Sequence, residues 1–176
     1  MQRTSLALLL VLFAVVAVAR PAMAQPLLMR IFVAHLSGDE EVPLRETLAQ
    51  GQAIFHLSAD GTQIKYLLIV ANIENVVASH IHVGAVGVNG PVVEFLFGPA
   101  APGGGQVEGV LAQGTITADD LVGPLAGQPL SALIAAMRAG NTYVNVHTND
   151  GVAPPDTGPG DFPGGEIRGQ IDPAGS

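Results

Sequence analysis

The sequence has no cysteine and no tryptophan, two tyrosines, and a single lysine at position 65. Without cysteine there are no disulfides, no thiolate metal sites and no cysteine nucleophile. Any metal site must therefore be built from imidazole and oxygen. Only 12% of residues are charged, and seven basic residues face fifteen acidic ones, for a net charge of -8. Phosphate binding needs clustered Lys and Arg, so this balance argues against a nucleic-acid partner.

Long hydrophobic runs are also scarce, apart from one at the start. Residues 1–24 carry Arg3, an apolar stretch over 6–19, and a small-x-small ending at Ala22-Met23-Ala24. That layout predicts a secretory signal peptide cleaved before Gln25. The stretch is short for a membrane span, which needs roughly 20 apolar residues. Cleavage would leave a chain with no membrane span, about 43% apolar, with a net charge of -10. The expected location is secreted or periplasmic. The remaining length suits one domain.

From residue 31 onward, segments of alternating hydrophobicity are separated by Gly, Pro, Asn and Asp. The pattern predicts strands at 31–36, 51–58, 63–70, 76–83, 91–97, 107–116, 142–148 and 166–171. Asp60-Gly61 supplies a hairpin turn between the second and third. Thr117, followed by Asp119 and Asp120, reads as the capped start of a short helix stopped at Gly123-Pro124. One longer helix is expected near 129–139, where Leu130, Leu133, Ile134 and Met137 fall on one stripe. Together these predict an all-β fold: an antiparallel β-sandwich or barrel with one short helix.

Strand periodicity also sorts side chains by face. In 79–83, Ile81 and Val83 share one face and His80 and His82 the other. In 143–147, Val144 and Val146 oppose Tyr143, Asn145 and His147. In 166–171, Ile167 and Ile171 oppose Glu166, Arg168 and Gln170. If these three strands are neighbours, His80, His82 and His147 meet on the non-core face. Two histidines at i and i+2 can converge on one ion, and a third makes a three-nitrogen copper or zinc site. Asn145, Glu166 and Arg168 would surround it, with Asn145 or Glu166 orienting a ring. Arg168 opposes a divalent ion unless Glu166 pairs with it. The alternatives stay open: histidines as cross-strand hydrogen-bond partners, and Glu166 with Arg168 as a surface ion pair or a hold on the preceding loop. His35 and His56 read as isolated surface residues, and Asp39-Glu40-Glu41 as a solvated loop. There is no P-loop and no Gly-x-Ser-x-Gly elbow, and no residue set is assigned to catalysis.

Five motifs occur in order: F-V-A-H-L-S-G-D-E-E-V-P at 32–43, S-H-I-H-V-G-A-V-G-V-N-G-P-V-V at 79–93, G-T-I-T-A-D-D-L-V-G-P-L-A-G-Q-P-L at 114–130, R-A-G-N-T-Y-V-N-V-H-T at 138–148 and F-P-G-G-E-I-R-G-Q-I at 162–171. Over about residues 30–172 the chain resembles the CHRD domain, the module named after chordin. The resemblance implies a secreted all-β module of immunoglobulin-like or superoxide-dismutase-like build. In chordin such domains belong to an extracellular protein that binds bone morphogenetic proteins. An extracellular protein or envelope component is therefore an implied partner. The copper-zinc superoxide dismutases carry a His-x-His strand pair at copper, mirrored here by His80 and His82. This sequence has no counterpart of their zinc loop. Compared with the family pattern, the link at 149–161 is enlarged. Three expectations follow: a non-catalytic binding module holding copper or zinc, an interaction or matrix module without metal, and a copper redox enzyme.

Overall fold

The computed structural model describes residues 30–175. The signal-peptide expectation for 1–24 lies outside them. Nine strands form: β1 (Ile31–Ser37), β2 (Gln50–Leu57), β3 (Ile64–Glu74), β4 (Val76–Val83), β5 (Val92–Phe97), β6 (Gln106–Ile116), β7 (Thr142–Thr148), β8 (Ile167–Gln170) and β9 (Asp172–Pro173). One α-helix, α1 (Leu130–Arg138), precedes β7. The strand order is β5-β4-β7-β8-β1-β2-β3-β6, antiparallel throughout, with β9 beside β1.

Alternation decides what goes inside. Phe32, Ala34 and Leu36 of β1, Ala53 and Phe55 of β2, Ile64 and Leu68 of β3, and Val144 and Val146 of β7 are all buried in one core. The α1 stripe of Leu130, Leu133, Ile134 and Met137 adds to it. The sheet curls until its two end strands meet. Tyr66 on β3 reaches across β6 and donates its hydroxyl to the Leu96 carbonyl on β5, at 2.8 Å. The result is a nearly closed barrel. Residues 118–125 form two 3-10 turns, Ala118–Asp120 and Gly123–Leu125, where the sequence suggests a short helix. The reciprocal Thr117–Asp120 cap is present, and Gly123-Pro124 opens the second turn instead of ending the first.

The non-core face of β4, β7 and β8 departs most from expectation. It is not open to solvent. Three connections fold over it: the segment between β1 and β2, the loop at 84–91 and the long loop at 149–165. Beneath them His82, Asn145 and Arg168 are buried, with Thr148 and Glu166 buried beside them at the strand ends. The domain thus has an apolar core inside the barrel and a second, polar core outside it.

Candidate metal centre

The neighbour relation that the sequence leaves open is met. β4 pairs with β7, setting His80 opposite Asn145 and Ala78 opposite His147. β7 pairs with β8, setting Asn145 opposite Arg168. Two register shifts on the β5 side of β4, between Ser79 and His80 and between Ile81 and His82, flank the first histidine. Such bulges re-aim side chains.

His80, His82 and His147 each offer a ligand atom within 4.8 Å of the others. Among the described residues this is the one group of three or more potential ligands so arranged. His80 and His147 are closest, with Nδ1 and Nε2 3.1 Å apart. A three- or four-coordinate ion with bonds near 2 Å needs donors about 3.4 Å apart, so small ring rotations suffice.

The tautomers follow from the hydrogen bonds, because a carbonyl accepts and never donates. His82 Nδ1–H donates to the Gly90 carbonyl at 2.8 Å, so its Nε2 bears the lone pair. That Nε2 is buried with no hydrogen-bond partner. His147 Nδ1–H donates to the Pro163 carbonyl at 2.8 Å, so its Nε2 is also an acceptor, met by the proton on His80 Nδ1. Two rings thus hold a carbonyl behind and present a lone pair in front, the usual outer arrangement of metal-binding histidines. Asn145 Oδ1 is a further buried acceptor with no hydrogen-bond partner. The pocket is rich in lone pairs and poor in protons, and the residues fit a cation.

Burial, with His147 and His82 as neighbours, pulls the His80 pKa down to about 4. Burial lowers His82 and His147 as well, against their carbonyl hydrogen bonds and, at His82, against the neighbouring Asn145 side chain, with Arg168 lowering His82 further. The imidazoles are therefore neutral at pH 7, as ligands must be. Phe95 of β5 stands edge-on to His80, 5.0 Å between centroids at 87°. Tyr143 stacks on His82, 4.8 Å away at 10°.

Of the surrounding residues, Asn145 stands beside the His82 ring, while Glu166 and Arg168 hold loops, one of the alternatives the sequence leaves open. Glu166 and Arg168 form no surface ion pair; they are 0% and 1% exposed and bind separate partners. Glu166 accepts from Thr47 Oγ1 at 2.6 Å, Thr148 Oγ1 at 2.7 Å and the Gly160 amide at 2.8 Å. It holds the preceding loop, and makes no hydrogen bond to an imidazole. Arg168 donates to Asn89 Oδ1 and to the Ala85 and Val88 carbonyls, each at 3.1 Å, which fixes the 84–91 loop. Gly90 is needed in that loop, since a Cβ there would fall on the Val83 carbonyl. Glu41, read as part of a solvated run, is buried, and burial raises its pKa to about 7. His35 and His56 are exposed, away from the cluster. The Gly90 and Pro163 carbonyls and Phe95 escaped the sequence reading, because loop docking leaves no periodic signal. Tyr143 was legible as sharing the face of Asn145 and His147.

The CHRD domain family matches residues 32–155. The chain belongs to the CHRD family. The match covers the strands of His80, His82 and His147, while Glu166 and Arg168 lie beyond it. No curated protein and no solved structure matches this CHRD chain. No helix among the described residues is long and apolar enough to cross a membrane.

Proposed function

We propose that this CHRD protein is a secreted or periplasmic, non-catalytic binding module that holds one copper or zinc ion on His80, His82 and His147. The observation that carries the reading is the His82 Nε2 lone pair. It is buried and unpartnered, while the opposite ring nitrogen is tied to Gly90. A buried acceptor without a partner costs about 1–3 kcal/mol, a cost that an ion relieves. Imidazole sets suit copper and zinc over hard cations.

Isothermal titration of the purified protein with Cu(II) and Zn(II) tests this. One equivalent binds, and the His80→Ala/His82→Ala double variant loses at least 100-fold in affinity. Equal binding by the variant, or no binding of Cu(II), Zn(II) or Cu(I) by the wild type, refutes the metal site. For the location, N-terminal sequencing of the exported protein reads from Gln25; an intact Met1 start refutes cleavage.

A second reading, a protein-interaction module, has its own support. Of the seven large hydrophobics exposed among the described residues, six lie in or beside the loop layer: Leu44, Leu48, Val86, Val88, Phe95 and Val152. If titration finds no metal, this surface becomes the leading candidate for function.

A further inference from the structure

The inference rests on the metal reading and concerns which ion the site takes. The donors are three neutral imidazoles, with no carboxylate or thiolate among them. A charged side chain that acts on the ligand ring of His82 is a cation, Arg168. Arg168 is 1% exposed, and its Cζ lies 3.5 Å from the centre of the Tyr143 ring. The other side of the stack is His82, nearly parallel to Tyr143 at 4.8 Å. Guanidinium, phenol and ligand imidazole thus form one continuous pile.

That guanidinium donates to no carboxylate. The Arg45–Asp156 ion pair does not involve it. Arg168 is held by three neutral oxygens, on Asn89, Ala85 and Val88. Glu166, just before β8, takes its hydrogen bonds from Thr47, Thr148 and Gly160 and none from Arg168. Glu41 is the other acid facing Arg168, and burial keeps much of its carboxyl protonated near neutral pH. An ion entering the site therefore meets a buried cation that no carboxylate pairs directly.

The repulsion scales with the charge of the ion. At roughly 10 Å and an effective dielectric near 20, each unit of charge on the metal weakens binding on the order of tenfold. Imidazole accepts either oxidation state of copper, so the field decides between them. We propose that His80, His82 and His147 form a monovalent-copper site, and that Arg168 is the specificity residue that disfavours Cu(II) and Zn(II).

The test compares Cu(I) affinity with Cu(II) affinity on the full chain. Cu(I) is measured anaerobically with ascorbate, against bathocuproine disulfonate. Cu(II) is measured against nitrilotriacetate. The decisive variant is Asn89→Asp, which sets a carboxylate where Asn89 Oδ1 now meets Arg168 and neutralises the cation without removing it. Arg168→Gln and Arg168→Lys accompany it, with circular dichroism to confirm folding. Asn89 also donates to the Val42 carbonyl, so Asn89→Asp is compared at matched folded fraction. The wild type binds Cu(I) more tightly than Cu(II). In Asn89→Asp and Arg168→Gln the Cu(II)-to-Cu(I) affinity ratio rises about tenfold, a reduction potential about 59 mV lower. Arg168→Lys keeps the wild-type ratio. An unchanged ratio in Asn89→Asp, or a wild type that prefers Cu(II) or Zn(II), overturns the Arg168 proposal and leaves the metal reading standing. Failure of the wild type to bind any of the three ions overturns both.

Discussion

At the residue scale, Glu166 and Arg168 show how a familiar pattern separates into two tasks. By sequence alternation they fall two apart on one strand face with opposite charge, which reads as an ion pair, although β8 begins only at Ile167. Each instead binds a different connection. Glu166 gathers two hydroxyls and an amide from the residues around the long loop, and Arg168 gathers three oxygens from the loop at 84–91. Hydrogen bonds to a buried charge are worth about 1.5–3 kcal/mol each, and donors left unpaired add to the cost of losing them. Glu166→Ala is expected to destabilise the protein by about 3 kcal/mol or more in urea unfolding, and Glu166→Gln by less. Hydrogen exchange then distinguishes the anchors. Protection falls at 149–165 in Glu166→Ala while 84–91 keeps its own. Equal loss in both loops would show that the two residues act as one unit.

At the scale of elements, the barrel closes through a side chain where the backbone ladder stops. β5 and β6 end the strand order, and Tyr66 spans them by crossing β6 at Gly114. A Cβ at Gly114 would sit 2.8 Å from the Tyr66 ring, so the glycine is what lets the tyrosine pass. Tyr66→Phe removes one neutral hydrogen bond and is expected to cost about 1 kcal/mol. Gly114→Ala displaces the ring and should cost more, since overpacking runs to roughly 1–3 kcal/mol. If the two losses are coupled, Gly114→Ala costs less in a Tyr66→Phe background by about the 1 kcal/mol of the hydrogen bond already gone, while the ring clash remains. Full additivity in that double-mutant cycle would separate the glycine from the closure. None of this was legible beforehand. Alternation located the strands of Tyr66 and Gly114 and the helix of Leu133, because period reports burial. It also placed His80, His82 and His147 on one kind of face. It does not report strand order, so the meeting of β4, β7 and β8 had to be assumed. Nor does it report what irregular segments cover. The polar face of Asn145 and Arg168 looked solvated because the loops over it carry no periodic signal. Glu94 was missed for a related reason. Register shifts in β5 turn both Val93 and Glu94 inward, against simple alternation.

At the scale of the whole molecule, those buried groups set how stability depends on pH. Glu41 and Glu94 are pushed up by burial, to about 7 and about 8, the second also by the charge of Asp120. The folded state therefore binds their protons more tightly than the unfolded chain does. Their contribution is fully present below about 4.5 and is lost as pH rises through 7 and 8. His80 runs the opposite way. Burial lowers it to about 4, so its contribution is present above about 6.5 and is lost as pH falls through 4. Between about 4.5 and 6.5 the two trends oppose each other, and above 6.5 only the acids still change. The metal-free protein is expected to have its highest thermal midpoint at mildly acidic pH, with a decline from 6.5 to 8. Glu94→Gln isolates the cause, because a neutral amide cannot ionise. Its midpoint should exceed that of the wild type at pH 8 by more than at pH 5, with the Glu41→Gln difference appearing about one pH unit lower. A wild-type midpoint that climbs from 6.5 to 8, or a Glu94→Gln advantage independent of pH, would mean that these carboxyls stay ionised in the fold. The same measurement with copper present should steepen the acid side. An ion on His80 competes with its proton, so bound metal adds stability at neutral pH that disappears as the imidazoles protonate.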